Sequence, residues 1–196
     1  MKDIILASAS PRRYELLKQI GLEFEVVPSD VDEDADTIHA PEELVKELAY
    51  KKALSVAKML NRQCPARDAL VIGADTIVVK DGILGKPQNE QSAYEMLKSL
   101  GGGWHDVITG ISVVSSCDLR SFTDFEKTRV KMRPFDDRII RNYINTREPQ
   151  DKAGAYGIQG MGALLVERIE GCYFNVVGLP LFKLSRVLEK FGVYVL

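Results

Sequence analysis

Apolar and polar positions along the chain follow two periodicities. Short apolar runs of four to ten residues predict strands, and apolar positions spaced three and four apart predict amphipathic helices. The helix after Ser10 buries Leu16, Leu17 and Ile20 on one face, and residues 41–60 show the clearest helical stripe. The predicted strands cover residues 4–7, 24–27, 70–79, 107–115, 119–132, 164–169 and 173–177, and further helices cover 89–100, 136–145 and 181–191.

The order of these elements predicts the fold class. Strands and helices alternate at both ends of the chain, and residues 107–115 and 119–132 form a long hairpin between them. Such an order is typical of an α/β fold with a mixed central sheet flanked by helices. We expect one domain over residues 1–196, with two lobes around a cleft.

Composition narrows the class of protein. The chain of 196 residues is 45% hydrophobic and 28% charged with a formal net charge of −2, which disfavours nucleic acid as a main partner. Three separated cysteines suit a reducing compartment. No apolar run approaches the roughly 20 residues of a membrane span. We therefore expect a cytoplasmic protein without membrane partners.

The turn after the first strand has the composition of an anion site. Ser10 suits the N-cap of the following helix, and Pro11 suits its first position. Arg12 and Arg13 lie where the helix dipole favours acids, so the arrangement does not favour stability. Backbone N–H groups, the hydroxyls of Ser8 and Ser10 and two guanidinium groups together favour binding of an anion.

Asp75 interrupts an otherwise apolar predicted strand. A buried carboxylate is costly unless it is paired, hydrogen-bonded or bound to a metal. It is therefore a candidate catalytic or metal-binding group, with turn capping or pairing with a lysine as the alternative. Gly73 leaves room for a ligand or for another backbone. Strict alternation places Asp75 and Thr76 on opposite faces of the strand.

Lys52 falls inside the apolar stripe of the helix over residues 41–60. Its neighbour Lys51 can pair with Glu47 on the solvent side. A core-facing lysine either extends to an edge of the apolar surface or is a buried functional group, and the pattern leaves both open.

Three further residues carry weaker signals. Lys86 follows the predicted strand of Asp75 in a loop, where an exposed lysine is the alternative interpretation. Glu33 lies in an acidic loop that is either solvated or able to bind a divalent cation through carboxylate oxygens. Gln159 lies in a glycine-rich segment, where its amide can read a base edge or the segment can be a turn without a ligand.

Taken together, these segments resemble the Maf family, the septum-formation-inhibitor-like nucleoside triphosphate pyrophosphatases. The ordered set is specific, although each motif is modest alone. The matching segments are residues 8–13, Glu33, and residues 48–53, 73–76, 85–87, 151–160 and 175–180.

The resemblance implies a curved sheet and a deep cleft, as in the inosine triphosphate pyrophosphatases. It also implies hydrolysis of a nucleoside triphosphate between its α and β phosphates, with Asp75 as proton acceptor. Positions matching Arg12, Thr76 and Gln159 are associated with substrate choice. All three match the dTTP/UTP branch, whereas the 7-methyl-GTP branch typically has Trp, Gln and Glu; CTP and modified pyrimidine nucleotides stay open as substrates.

The implied mechanism assigns charge and metal. Arg12, Arg13, Lys52 and Lys86 would balance the triphosphate, and Ser8 would help to bind it. A Mg²⁺ or Mn²⁺ ion would be held by phosphates and by Asp75 or Glu33.

Other functions fit parts of the pattern. One is a nucleotide-binding regulator of cell division without catalysis. The cellular role of the activity also stays open, as house-cleaning of the nucleotide pool or as arrest of cell division. A nucleic-acid module using Arg12, Arg13 and residues 129–133 is disfavoured by the low net charge. The oligomeric state also stays open, with a homodimer as the commonest form.

Overall fold

The computed structural model describes residues 2–31 and 40–196, so Glu33 lies outside the described residues. Within these ranges the chain forms seven strands and six α-helices, joined in places by short 3-10 turns. In chain order they are β1 (Asp3–Leu6), α1 (Pro11–Gln19), β2 (Glu25–Val26), α2 (Pro41–Gln63), β3 (Ala69–Val79), β4 (Ile83–Leu84), α3 (Glu90–Leu100), β5 (Trp104–Ser115), β6 (Ser121–Met132), α4 (Asp137–Asn145), β7 (Val166–Glu170), α5 (Tyr173–Val177) and α6 (Leu181–Glu189).

The strands form one mixed sheet, which confirms the predicted fold class. Their order is β2-β1-β3-β5-β6-β7, with β4 paired to β3. β1 runs parallel to both β2 and β3, whereas β4 and β7 are antiparallel to β3 and β6. The predicted hairpin is also present, since β5 and β6 are neighbours in the sheet.

The chain divides into two compact units. The first comprises Met1–Asp75, Thr109–Glu126 and Gly178–Leu196, and the second comprises Thr76–Ile108 and Lys127–Val177. The expected cleft stays a prediction.

Glycine lets helix α2 lie directly against the sheet of the first unit. A Cβ atom at Gly73 would meet the carbonyl oxygen of Ala49 and would lie 2.8 Å from the amide nitrogen of Ala53. A Cβ at Gly110 would meet the backbone of Val45 in the same helix. The room that Gly73 leaves is therefore filled by another backbone, one of the two alternatives that the sequence left open.

Helices α3 and α4 of the second unit begin at side-chain caps. Asn89 accepts a hydrogen bond from the amide of Ser92 at 2.8 Å, and the Ser92 hydroxyl accepts from the Asn89 amide at 3.1 Å. Asp136 caps α4 by accepting from the amide of Ile139 at 2.9 Å. These caps fix the helix starts one residue after the predicted bounds.

The predicted strand over residues 173–177 is wrong, because this segment is helix α5. Its aromatic and β-branched residues have the composition of a strand, but tertiary contacts override that preference. Asn175 is fully buried, and its amide donates to the Val107 carbonyl and the Thr128 hydroxyl, both at 3.0 Å. In the helical conformation, the side chain of Asn175 makes both of these buried hydrogen bonds.

Candidate functional site

The turn after β1 is organised around the Ser8 hydroxyl. The Oγ atom of Ser8 accepts hydrogen bonds from the amide of Ser10 and from Nη1 of Arg13, each at 3.2 Å. Ser10 occupies the N-cap position of α1 as predicted, but its side chain makes no capping hydrogen bond. The side chain that orders this turn is thus Ser8, two residues earlier.

Arg13 binds the protein itself. Its Nε donates to the carbonyl oxygen of Gly178 at 2.9 Å, in addition to the contact with Ser8. Arg12 is half-buried beside it, and the first turn of α1 carries no acidic residue. Arg13 therefore has a structural role, since it joins the turn to Gly178 of the same unit.

The strand register places this turn near Asp75, which lies in the middle of β3. β1 and β3 are parallel, with Leu6 opposite Ile72. The chain reaches Ser8 two residues beyond Leu6, and Asp75 lies three residues beyond Ile72. Only β1 ends at this point, since β3 continues to Val79, and the carboxyl end of a parallel strand is a common location for ligand sites in α/β proteins.

Asp75 and Lys52 form a buried ion pair. The Lys52 Nζ lies 2.6 Å from the Asp75 Oδ1, and the residues are 7% and 8% exposed. Gly73 explains the contact, because it allows α2 to approach β3 and Asp75 lies two residues further along the same face. Lysine pairing was one alternative for Asp75, and burial was one for Lys52.

This pair is a weak device for stability. Burying two charges costs several kcal/mol per ion by typical measures, and apolar residues of similar volume often serve as well or better. By contrast, Lys51 pairs with Glu47 at the surface at 2.6 Å, as predicted. A buried carboxylate and ammonium near the carboxyl end of β1 are thus candidates for chemistry.

Thr76 is half-buried and lies on the opposite face of β3 from Asp75. The strand continues to Val79, so regular alternation holds. Val78, on the same face as Thr76, packs against Gly154, where a Cβ would lie 3.0 Å from a Val78 methyl group.

The loops of Lys86 and Gln159 are connected within the second unit. The Gly154 amide donates to the Gly85 carbonyl at 3.0 Å, which joins the segment before Lys86 to the glycine-rich segment that leads to Gln159. Both Lys86 and Gln159 are exposed.

A buried histidine, His105, supports the same glycine-rich segment. The Nε2 of His105 lies 2.6 Å from the hydroxyl of Tyr156. Burial, reinforced by the positive charge of Lys80, lowers the pKa of His105 to about 4. Burial also raises the pKa of Tyr156. Within the part of the chain that the structure describes, the Nδ1 of His105 has no hydrogen-bond partner.

Two features are absent from residues 2–31 and 40–196, the part of the chain that the structure describes. No group of three or more His, Cys, Asp or Glu side chains there could hold a metal ion, and Asp75 is the described member of the predicted metal pair. The helices of these residues are all too short or too polar to cross a membrane.

A family profile described as Maf-like protein matches residues 3–191. Because the match covers nearly the whole chain, the protein belongs to this family.

Its relatives include two proteins named dTTP/UTP pyrophosphatase. The chain is 58% identical over 197 residues to one from Acetivibrio thermocellus, covering 100% of this chain and 98% of that protein. It is 50% identical over 193 residues to one from Caldicellulosiruptor bescii, covering 98% and 96%. A solved structure of a HAM1 protein from Coxiella burnetii has a TM-score of 0.47 and 16% identity over 67% of this chain and 73% of that chain.

Proposed function

We propose that this protein is a nucleoside triphosphate pyrophosphatase that hydrolyses the α–β phosphoanhydride of dTTP and UTP to the monophosphate and pyrophosphate. The buried Lys52–Asp75 pair carries the proposal, because it holds a carboxylate on β3 three residues beyond Ile72, which is paired with the last residue of β1. The names of the two relatives, similar over nearly their full lengths, support the substrate class.

Asp75 is assigned as the proton acceptor. A carboxylate can remove a proton from an attacking water as that water adds to the α phosphate. Lys52 fixes the carboxylate through the 2.6 Å contact with Oδ1. We therefore assign Lys52 the role of orienting the base, in addition to the predicted role of balancing phosphate charge.

The turn after β1 is assigned to the phosphates. Arg12 and the first backbone N–H groups of α1 supply positive potential. Ser8 and Arg13 hold the turn in shape through their mutual hydrogen bond. Lys86 is assigned further phosphate contact by its side-chain chemistry.

Gln159 and Thr76 are assigned to substrate choice. An amide offers one donor face and one acceptor face, which match N3–H and O4 of uracil or thymine. Cytosine presents the reverse pattern, but an amide can flip. CTP and modified pyrimidine nucleotides are therefore assay substrates as well.

A divalent cation, Mg²⁺ or Mn²⁺, completes the proposal. Hard cations prefer carboxylate and phosphate oxygens, and Mg²⁺ commonly uses one or two carboxylates together with substrate phosphates. The buried carboxylate of Asp75 fits this donor set, and Glu33 is the second proposed ligand. Such an ion would polarise the α phosphate when bound.

Product analysis tests the reaction. The protein is incubated with UTP, dTTP or CTP, with and without Mg²⁺ or Mn²⁺, and pyrophosphate and orthophosphate are measured separately. We expect pyrophosphate and the monophosphate. Orthophosphate as the first product would refute the bond assignment, and binding of UTP without turnover would favour the non-catalytic regulator instead.

A substitution tests the base. Asp75→Asn keeps the shape and removes the basic oxygen, so turnover should fall by about 10²-fold or more. Asp81→Asn is the matched control, because Asp81 is exposed in the turn that follows the same strand. Near-normal turnover by folded Asp75→Asn would remove the catalytic role.

We also propose a cytoplasmic location. Cys64 and Cys117 are exposed free thiols and Cys172 is partly exposed, which suits a reducing compartment. Fractionation of cells that produce the protein tests this location.

A further inference from the structure

Residues 157–162, which include Gln159, form a small loop whose two ends lie in contact. A Cβ atom at Gly162 would meet the carbonyl oxygen of Gly157, so the backbone at these two positions is in direct contact. Gln159 lies between them and is exposed. The geometry of this small loop therefore determines where the amide of Gln159 lies.

One end of the loop is held by Tyr143 of helix α4. The Tyr143 hydroxyl accepts a hydrogen bond from the amide of Gly157 at 3.2 Å. Burial raises the pKa of Tyr143, and the nearby negative charge of the Glu148 carboxylate contributes to the rise. Tyr143 is 4% exposed, so its position is set by the core of the second unit.

The other end of the loop is held by Glu148. Its Oε1 accepts from the amide of Met161 at 2.9 Å, and its Oε2 accepts from the amide of Gly162 at 3.2 Å. Gly160 adopts a φ of +63°, and a Cβ there would lie 2.5 Å from Oε1 of Glu148. Glycine at this position thus permits the carboxylate to reach both amides.

Glu148 is itself anchored. Its amide donates to the Thr146 hydroxyl at 3.2 Å, and its carbonyl accepts from the Lys152 Nζ at 2.6 Å. A side chain anchored through its own backbone can impose a position on the loop it binds.

We propose that Glu148, together with Tyr143, is a positioning residue for Gln159 and so determines how well the protein selects uracil and thymine nucleotides. This proposal rests on the proposed function. Glu148 binds one end of the loop and Tyr143 binds the other. The loop that carries Gln159 is therefore already ordered before a base binds. A site that is ordered before binding avoids the entropy cost of fixing a glycine-rich segment on the ligand.

The chemistry requires a carboxylate in particular. Only an ionised carboxyl group accepts hydrogen bonds at both oxygens, whereas a glutamine presents one acceptor and one donor. Glu148→Gln keeps the size of the side chain but opposes a donor to one of the two amides. Glu167→Gln is the matched control, since Glu167 is an exposed glutamate on β7 of the same unit.

Steady-state pyrophosphate release from UTP and dTTP tests the role. We expect Glu148→Gln to raise KM by ~10-fold while kcat changes little, because loss of a bond that serves binding alone appears in KM. Tyr143→Phe should act in the same direction, and Glu167→Gln should match the unaltered protein. Unchanged KM in Glu148→Gln would overturn the proposal.

A double substitution separates positioning from a general structural effect. In a Gln159→Ala background, Glu148→Gln should change kcat/KM by less than about twofold, because the group that it positions is already gone. An equal loss in both backgrounds would overturn the positioning role.

Amide hydrogen exchange gives a reading that is independent of turnover. Exchange at Met161 and Gly162 should become faster in Glu148→Gln, and unchanged exchange would also overturn the proposal. Absence of pyrophosphate release by the unaltered protein would instead refute the proposed function.

Discussion

Removal of one member of the Lys52–Asp75 pair should destabilise the protein strongly. Lys52→Met keeps most of the length and apolar surface of the side chain but removes the ammonium group. Asp75 would then be a buried charge, 8% exposed, without the partner that now lies 2.6 Å from its Oδ1. The cost is mainly that of an uncompensated carboxylate in a medium of low polarity.

The magnitude follows from the burial of both side chains, of which only 8% is exposed for the lysine and 11% for the aspartate. Breaking a buried pair from one side costs about 3–5 kcal/mol. For a chain of this size each kcal/mol lowers Tm by roughly 2–4 °C, so Tm should fall by about 6–20 °C. Replacing both residues, as Lys52→Met with Asp75→Leu, should be neutral or stabilising by about 1–4 kcal/mol.

Urea unfolding followed by far-ultraviolet circular dichroism measures these changes in free energy. Fluorescence of the single tryptophan, Trp104, serves as a second probe, because it reports on the second unit while the pair lies in the first. Lys51→Met is the matched control, since Lys51 makes an ion pair of the same 2.6 Å length on the same helix but is 50% exposed. That control should cost about 0.3–0.5 kcal/mol.

Two results would refute this reasoning. Lys52→Met could cost no more than Lys51→Met, which would mean that water or local movement compensates the remaining carboxylate. Alternatively, the double variant could be as unstable as the single one, which would make the pair a true stabilising element. We expect that loss of one partner destabilises the protein, whereas replacement of both does not. Stability would then not explain why the pair is present, and function would remain as the reason.

Three further predictions concern pH, packing and the turn after β1. The imidazole of His105 takes up a proton near pH 6.5 in the unfolded chain but only near pH 4 in the folded one, so the free energy of unfolding should be full above pH 6.5 and fall by about 3 kcal/mol as the pH drops to 4. In His105→Gln, chemical unfolding should show a free energy that depends less steeply on pH over this range. An unchanged dependence on pH would contradict the role of His105. Gly73→Ala should destabilise the protein by about 3 kcal/mol or more, because its Cβ would lie 2.8 Å from a backbone nitrogen of α2. The control Gly82→Ala places its Cβ in open space and should change Tm little. Equal melting temperatures of the two variants would show that α2 can move. Arg13→Lys keeps the charge but loses the Nε donor to Gly178, so unfolding should become easier by about 1–2 kcal/mol, and full stability would show that this bond is not needed.

Elements that stabilise themselves locally could be predicted from the sequence. The stripe of α2 is buried from Val45 to Leu60, and the caps at Asn89 and Asp136 act at the predicted ends. Segment 173–177 could not be predicted in this way. Its helical form depends on a buried bond between Asn175 and Val107, 68 residues apart, which no local pattern reveals.

The candidate site shows the same division. Asp75 and Lys52 were each identified by a charge in an apolar pattern, but their contact depends on the close approach of α2 to Gly73. Glu148 was missed because it lies in a polar stretch and its partners, the amides of Met161 and Gly162, are backbone groups. A carboxylate that binds backbone leaves no signature in residue type or spacing.

The internal contacts also change how positive charge is assigned toward a triphosphate. Four cations had been assigned to the phosphates, but Lys52 contacts Asp75 and Arg13 contacts Gly178 and Ser8. An ammonium beside a carboxylate contributes little net potential to a polyanion, because the two charges largely cancel at a distance. On the proposed function, Arg12 and the amides of α1 would then provide more of the phosphate contact in the first unit. A divalent cation would become correspondingly more important, because it would supply positive charge to the triphosphate that the Lys52–Asp75 pair does not supply.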